Sequence, residues 1–463
     1  MAASVPLVLS SSSMAGAQED PPPTLRAPQP QGSNYSPSTA GWLADRSRSQ
    51  GPGFRVGNLE LHPGVGVELG YDTNVFFEDE NPEDSFLLRV TAHLNVSTLT
   101  QQRREDGETD DGDGESRNLD FRAGIAASYY HFFIEQARDN VALDANLALT
   151  INPTGRFSVY LHDEFSRAVR PFVDRATVDG SIMGEVPTYA RDRNVAGVEA
   201  RLQSAGGVLR GSLGYDYTLD YFEDDLFDFA NSHSHDFRLN LSWRFLPQTA
   251  LISRSTVTFQ DYFRADDGAS TALTDNWRVR SMLGINGALT EKLGFTVLAG
   301  YGAGFFSIGD SYDSVVAHAD LRWRPRQTMQ FQIGYDRRFV SSFIGNYMKQ
   351  DRIYLSHRLL LGGSFLLGAE VGLSFDETGL ALAADEMSIL GNAPVREDIR
   401  LSATLYTEYR FTDWLGLNLS LAYYGDFTDY EYNDALLSPG TVWPDPGGGY
   451  QKFEAWLGLR VFY

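Results

Sequence analysis

Charged side chains recur at every second residue in many segments of the chain, and their chemistry could serve a function. Successive side chains of a β-strand point to opposite faces, so residues spaced by two share one face. A face that carries arginines and carboxylates would offer hydrogen bonds and charge to a polar solute. In the alternative interpretation, the paired charges only solvate and brace a wall. The candidate pore-lining residues are Arg210, Asp216, Asp220, Arg238, Arg244, Arg278, Arg280, Asp320, Arg322, Asp336, Arg338, Glu370, Glu408 and Glu454.

Catalysis and metal binding are less well supported by the spacing of the charged residues. Asp216, Asp220, Asp320 and Asp336 could act as catalytic carboxylates, and the segment 233–236 (His-Ser-His-Asp) could bind a metal. Alternation produces polar pairs spaced by two on any half-polar strand, so neither pattern is specific. The sequence shows no distinctive set of nucleophile, base and orienting residue. We therefore predict no catalytic residues, no metal, no cofactor and no enzymatic activity.

The carboxy-terminal stretch 450–463 shows most clearly the element that would position these side chains. Its apolar positions alternate with a mostly polar set that includes Glu454 and Arg460. A soluble sandwich strand could show the same pattern, but a chain that stops on such a strand favours a transmembrane β-barrel that closes there. An aromatic last residue also resembles the signal that the bacterial barrel assembly machinery recognises. The residues of this predicted insertion signal are Phe453, Leu457, Leu459, Val461 and Tyr463.

Similar segments of roughly 12–15 residues follow one another from about residue 59 onward. We count about 18 of them, an even number that brings both ends of a single-chain barrel to one side. The ninth, thirteenth and fourteenth segments are the least regular. The predicted fold is all-β, an antiparallel up-and-down transmembrane β-barrel.

The connections between these segments alternate between short and long, which supports a barrel more strongly than any single strand does. Short turns at one rim and long loops at the other are typical of the periplasmic and extracellular ends. The acidic segment 100–118 is the exception, because it falls on the short-turn side. The short connections are 152–155, 205–207, 246–249, 290–292, 324–327, 361–364 and 412–414, and the long ones include 168–191, 222–232, 264–275, 376–395 and 428–448.

Aromatic residues collect near the ends of the predicted strands. Two aromatic girdles are expected where a barrel meets the two layers of lipid headgroups. The inner girdle would hold Trp243, Phe245, Trp323, Tyr409, Phe411 and Tyr463, and the outer one Tyr221, Phe263, Trp277, Phe305, Tyr423 and Phe427.

Composition limits the classes of function. A net charge of -23 argues against a basic surface for nucleic acid, so we expect no nucleic-acid partner. The chain has no cysteine, which fits an exported protein. We expect contacts with outer-membrane lipid and lipopolysaccharide. Acidic clusters at 78–80, 223–225 and 429–434 could share divalent cations with anionic lipids, or could simply be solvated.

The amino-terminal part of the chain differs in composition from the rest. Residues 1–17 resemble a secretory signal peptide ending in Ala15-Gly16-Ala17, although a disordered tail is an alternative. Residues 18–57 are rich in Pro, Gln, Ser and Gly and predict a disordered periplasmic leader. We assign residues 58–463 to the barrel.

One motif carries a resemblance to a known family. The segment 70–77 (Gly-Tyr-Asp-Thr-Asn-Val-Phe-Phe), followed by 82–86 and the strand 88–96, is similar to the beta-barrel porin-2 type of outer-membrane protein. The motif residues are Asp72, Asn74 and Phe76. The resemblance implies an integral protein of a Gram-negative outer membrane. It also implies an association with polysaccharide export and with a periplasmic polysaccharide-export protein.

Together these patterns predict a passive outer-membrane channel for a polar solute or polymer, with polysaccharide export as the expected task. A general diffusion porin is one alternative. A plugged barrel that serves as a surface anchor or scaffold is another.

Overall fold

The computed structural model describes residues 53–77, 79, 81–98, 118–135, 137, 139–168, 190–223, 231–263, 274–307, 311–340, 345–380, 395–428 and 449–463. The predicted signal peptide, most of the leader and nearly all of the segment 100–118 lie outside these residues. So do the central parts of the long connections and most of the three acidic clusters.

The described chain forms nineteen strands and one short 3₁₀ turn, Ala205–Gly207. The strands are β1 (Phe54–Val56), β2 (Leu59–Asp72), β3 (Ser85–Thr98), β4 (Leu119–Phe132), β5 (Asn140–Ile151), β6 (Phe157–Ala168), β7 (Arg191–Gln203), β8 (Leu209–Phe222), β9 (Ser232–Leu246), β10 (Thr249–Tyr262), β11 (Asn276–Thr290), β12 (Leu293–Phe306), β13 (Tyr312–Arg326), β14 (Met329–Val340), β15 (Gly345–Leu361), β16 (Phe365–Leu380), β17 (Val395–Arg410), β18 (Leu415–Phe427) and β19 (Tyr450–Phe462). Nowhere in the described residues is a helix long and apolar enough to span a membrane.

The strands β2 to β19 form one closed antiparallel barrel. Each pairs with its neighbours in sequence, and β19 pairs with β2 through a ladder from Glu454 opposite Asp72 to Phe462 opposite Gly64. The barrel therefore has 18 strands, which confirms the predicted fold and strand count.

The closing strand β19 has the two faces that its sequence predicts. Leu457 and Leu459 are 55% and 53% exposed, whereas Glu454 and Lys452 on the other face are each only 2% exposed. Apolar side chains point out and charged side chains point in, the reverse of a water-soluble protein. Soluble monomers rarely expose contiguous apolar surface of this kind, so the outer face is suited to lipid.

The two ends of the described chain meet at one rim. Tyr463 donates its backbone N–H to the carbonyl of Pro63 at 3.0 Å, and its ring stacks on Phe54 with centroids 4.1 Å apart. Phe54 belongs to β1, which pairs with the start of β2 although it falls within the predicted leader. Gly57 makes this turn with φ 62, a conformation that glycine adopts without strain.

The connections sort by rim as the sequence predicts. The rim that carries the chain ends also carries the short turns, and two glycines with φ 57 and 72, Gly362 and Gly363, form one of them. The short turns are 152–156, 204–208, 247–248, 291–292, 327–328, 362–364 and 411–414. The segment between β3 and β4 is the long exception on this rim.

The aromatic residues predicted for the two girdles lie at the strand ends. Trp243 at one rim and Trp277 at the other are 50% and 43% exposed on the outer face. Rings at both edges of an apolar belt are typical of a barrel that meets two headgroup layers.

A substitution on the outer face of β19 tests directly whether that face meets lipid. We expect Leu457→Arg to lower the free energy of unfolding in lipid vesicles by about 2–4 kcal/mol, because the charge would enter hydrocarbon. Denaturant titration of the reconstituted protein measures this change.

The matched control is Thr404→Arg, which places the same side chain on the inner face of β17 opposite Glu370. Its effect should stay within about 0.5 kcal/mol, since the site is exposed inside the barrel. A larger loss at Thr404 than at Leu457 would mean that the faces are assigned the wrong way round.

Candidate site inside the barrel

All of the predicted pore-lining residues lie on the inner face. In each strand they alternate with exposed apolar residues of the outer face, and residues directly opposite across a ladder share a face. They do not gather at one place. Most inner charges have partners, and the most deeply buried of these pairs lie on one side of the barrel, whereas a few arginines elsewhere have no acidic partner among the described residues.

We call the deeply buried set the paired wall; it lies on the inner face of β15–β19, β2 and β3. Arg400 is its most connected member and contacts one carboxylate on each of three strands. Its guanidinium lies 2.9 Å from Asp426, 3.2 Å from Asp398 and 3.5 Å from Asp376. All four side chains are at most 3% exposed. A buried cation with this many partners holds β16, β17 and β18 in one register.

A second contact of the paired wall joins β2 and β3. Arg89 lies 2.6 Å from Glu68, and its guanidinium stacks over the Trp456 ring at 4.3 Å from the centroid. Asn418 of β18 donates to the other oxygen of Glu68 at 2.6 Å. The Glu68 carboxylate thus connects β2 with β3 and, across the closing strand β19, with β18.

Glu408 occupies the third position of the paired wall. Arg460 approaches one of its oxygens at 2.6 Å, and Arg410 approaches the other at 2.8 Å. The Tyr406 hydroxyl donates to Glu408 at 2.8 Å. This carboxylate was predicted from sequence to line a pore, and in the structure it braces β17 against β19.

The family-type motif packs against the same wall. Asp72 accepts from Lys452 at 2.7 Å and from the backbone N–H of Asn74 at 3.0 Å. Lys452 also contacts Glu454 at 3.4 Å. After Asn74 the chain turns so that Phe76 packs against an inner apolar cluster containing Leu87, Tyr130 and Trp456. The motif thus ties the end of β2 to β19.

His318 is an inner-face residue that sequence reasoning missed. Its Nδ1 lies 2.5 Å from Asp336 and its Nε2 lies 3.2 Å from Asp320. Arg322 holds the other oxygen of Asp320 at 2.9 Å. Two predicted pore-lining carboxylates are therefore already engaged by one imidazole, and a lone histidine in a strand gave no signal of this role.

Several other predicted residues also have partners. Asp216 accepts from Arg238 at 2.7 Å, and Asp220 accepts from Arg191 at 2.6 Å. Glu370 lies 2.6 Å from Arg352. Three predicted arginines donate to neutral groups, namely Arg244 to the Gly206 carbonyl at 2.6 Å, Arg278 to Gln260 at 2.9 Å and Arg338 to Gln350 at 2.7 Å.

Three arginines on β8, β10 and β11 make no ion pair or hydrogen bond with any residue that the structure describes. We call Arg210, Arg254 and Arg280 the arginine wall; all three are exposed on the inner face. Arg210 and Arg280 were predicted, but Arg254 was missed. Its strand is the irregular ninth segment, where apolar Ile252 faces inward and Ser253 faces outward.

The residues of the segment 233–236, which could have bound a metal, lie on both faces of β9. His233 and His235 lie on the outer face of β9, where His235 meets the Tyr215 hydroxyl at 2.8 Å. Asp236 lies on the inner face and contacts Thr258. The segment 233–236 therefore does not converge on one point, and within the described ranges no cluster of three or more metal-ligating residues occurs.

No family model matches the chain, and no curated protein matches it. Among solved structures it is similar to the FrpB iron transporter of Neisseria meningitidis (F5-1 variant, apoprotein form), at 10% identity and a TM-score of 0.45, over 89% of this chain and 82% of that one. It is also similar to the siderophore receptor PirA of Pseudomonas aeruginosa, at 11% identity and 0.41, over 87% and 80%.

A third likeness is to OccK11 of Pseudomonas aeruginosa, at 10% identity and a TM-score of 0.40, over 87% of this chain and 95% of that one. At such low identities and scores these likenesses carry no argument about function. The resemblance to the beta-barrel porin-2 type stays a prediction.

Arg400 allows the paired wall to be tested by substitution. We expect Arg400→Met to cost about 3–5 kcal/mol of unfolding free energy, because it leaves three buried carboxylates without their cation. Guanidinium titration in lipid vesicles provides the measurement.

Arg280→Met is the matched control, since it removes the same group from a site without partners. We expect it to change stability by no more than about 0.5 kcal/mol. Equal losses in the two variants would refute the division of the inner charges into two sets.

Proposed function

We propose that the protein is an integral channel of a Gram-negative outer membrane that lets polar, preferentially anionic, solutes cross passively. A closed barrel of this strand number is wide enough to leave an aqueous interior, and its interior is lined with charge. The proposal includes no chemical conversion of the solute.

The outer surface supports the membrane location. Leucines, valines and isoleucines predominate among the exposed residues of the belt between the two aromatic girdles. An apolar belt flanked by rings matches the depth profile of a bilayer. In water the same belt would drive aggregation.

The observation that carries the solute preference is the arginine wall. Acidic partners surround the cations of the paired wall, three of them around Arg400 alone, so this wall presents no net positive charge to a solute. Arg210, Arg254 and Arg280 lack such partners among the described residues, and they face the interior. Cationic side chains that line a pore favour anions, as rings of Arg and Lys do in anion channels.

A finer form of the proposal is that the solute is an anionic polysaccharide that a periplasmic export protein delivers. Two features support it. The motif 70–77 resembles proteins associated with such export. A row of cations without acidic partners would also bind the repeated carboxylates of an acidic polymer weakly and successively, which suits transport better than a single tight site does.

Ion selectivity in planar bilayers tests the main proposal. We expect steady conductance with a reversal potential that shows anion preference. Replacing Arg210, Arg254 and Arg280 together by Gln should lower the anion-to-cation permeability ratio by about tenfold, since focused charge changes local ion concentration by such factors.

Arg337→Gln is the control, because Arg337 lies on the outer face beside Asp351 at 3.8 Å. Its selectivity should match that of the unaltered protein. An absence of conductance would favour the plugged scaffold, and unselective conductance that the triple variant leaves unchanged would favour a general diffusion porin.

The finer proposal is tested in the native host by deleting the gene. We expect loss of an acidic surface polysaccharide with small-solute uptake retained. Unchanged surface polysaccharide would contradict the export role and leave the channel itself untouched.

A further inference from the structure

The ladder between β13 and β14 stops partway up the barrel. Its last described pair is Ala317 opposite Arg337. On the far sides, β13 continues in register with β12 up to Tyr312, and β14 continues with β15 up to Val340. The segments 312–316 and 338–340 are therefore each paired on one side only. We call the space between them the seam.

Aromatic rings fill the seam from the inner to the outer face. Tyr312 lies on the inner face of β13, and its ring stacks on Phe339 with centroids 3.9 Å apart and planes 11° apart. Phe339 in turn meets Tyr347 at 5.9 Å. Tyr347 contacts Gly379 of β16 so closely that a side chain there would collide with its ring.

Phe339 departs from the alternation of its own strand. Arg337, two residues earlier, faces outward with Asp351, so Phe339 is expected to face lipid as well. Its ring lies instead over the inner-face residues Gly302 and Val316. A side chain that should cover the outside of the barrel has passed through the seam to the inside.

The ring covers an apolar cluster on the inner face. The cluster holds Ile252, Met282, Leu298 and Val316, one residue from each of four adjacent strands, and all four are buried. Charged and polar residues occupy most of the inner face elsewhere. An apolar strip that leads to a gap in the wall is suited to a hydrocarbon chain rather than to a polar solute.

Two members of the arginine wall border this cluster. Arg254 stands opposite Met282 across the β10–β11 ladder, and Arg280 is two residues from Met282 on the same face. Arg280 also lies within electrostatic range of Tyr312 and Arg254. Neither arginine has a partner among the described residues.

The carboxylates around these arginines are committed to other groups. Asp320 and Asp336 are held by His318, and Arg322 also binds Asp320. Asp236 contacts Thr258. The Thr258 hydroxyl leaves the charge of Asp236 in place, so the two arginines face one carboxylate without a cationic partner of its own, and an excess of positive charge remains for a ligand.

We propose that the seam is a lateral port between the barrel interior and the outer half of the membrane, and that it takes an anionic single-chain amphiphile. The hydrocarbon chain replaces Phe339 on the apolar cluster and reaches the lipid past Tyr347. The acidic headgroup is bound by Arg254 and Arg280. This inference rests on the proposed membrane location but not on the barrel's conducting ions.

A photoreactive dodecanoate, with a diazirine near the end of its chain, tests the port in protein reconstituted in nanodiscs. Mass spectrometry maps the sites of attachment. We expect labelling to concentrate at Val316, Phe339 and Tyr347, to be displaced by unlabelled dodecanoate, and to resist the same concentration of hexanoate. Labelling spread evenly over the lipid-facing leucines and valines would mean simple partition into the membrane and would overturn the proposal.

The headgroup assignment is tested with Arg254→Gln and Arg280→Gln together. Labelling at the seam should fall by about tenfold, the loss expected from removing a charge-assisted hydrogen bond. Arg337→Gln, on the outer face of β14, is the matched control and should retain the original labelling. Equal labelling in the double variant and the control would exclude the arginines as the headgroup site.

A cross-link separates a port from a closed binding site. The chain has no cysteine, so Tyr312→Cys with Phe339→Cys gives two thiols that a short, reducible thiol cross-linker can join across the seam. Locking the seam should abolish labelling at Tyr347 and leave bilayer conductance intact, and reduction should restore the labelling. Labelling of Tyr347 that persists in the locked protein would refute the port. Lost conductance with normal labelling would count against the proposed channel, while the port would stand.

Discussion

The structure depends on a closed sheet whose strands alternate between lipid and the interior. Once β19 pairs with β2, the eighteen strands close on themselves, and a side chain on a regularly paired strand faces either the outside or the interior. A charge on the outer side costs about 2–4 kcal/mol near the bilayer midplane, so most charges along the strands face inward, and an outer-face exception such as Arg337 beside Asp351 lies toward a strand end. The interior then has to accommodate a high density of ions, and its chemistry follows from how it does so.

The barrel accommodates its ions in two ways. Along the paired wall, Arg400, Arg89 and Glu408 each join side chains from at least two strands in nearly complete burial. Such pairs add little net stability over apolar packing, but they fix the register because breaking them is costly. Along the arginine wall the cations have no acidic partners among the described residues, and water or a solute must satisfy them. The most deeply buried ion pairs and the arginine wall thus lie on different parts of the barrel.

The features set by alternation could be predicted from the sequence. The two faces of β19, the aromatic girdles, the rim of short turns and the strand count all depend on residue spacing within single strands. Which charges form pairs could not be predicted, because the partners lie across ladders. Glu68 of β2, for example, accepts from Asn418 of β18 with the whole of β19 between them. His318 had no sequence signal because its role depends on two carboxylates that the register brings to it.

The features that could not be predicted from the sequence lie mainly on strands in which apolar and polar residues do not alternate regularly. On β10 the apolar Ile252 faces inward and the polar Ser253 faces outward, the reverse of most other strands. This reversal hid the inward position of Arg254. On β14, Phe339 lies on the inside although its position predicts the outside. These departures coincide with the apolar cluster and the seam, which together form the proposed lateral port.

The central claim, water inside and lipid outside, can be measured most directly by the accessibility of single cysteines. The chain has no cysteine of its own, so Arg280→Cys and Leu283→Cys report on two nearby sites of β11 that face opposite ways. In reconstituted vesicles a membrane-impermeant thiol reagent should modify the Arg280→Cys variant rapidly and leave the Leu283→Cys variant unmodified. Rapid modification of the Leu283→Cys variant together with protection of the Arg280→Cys variant would contradict the account.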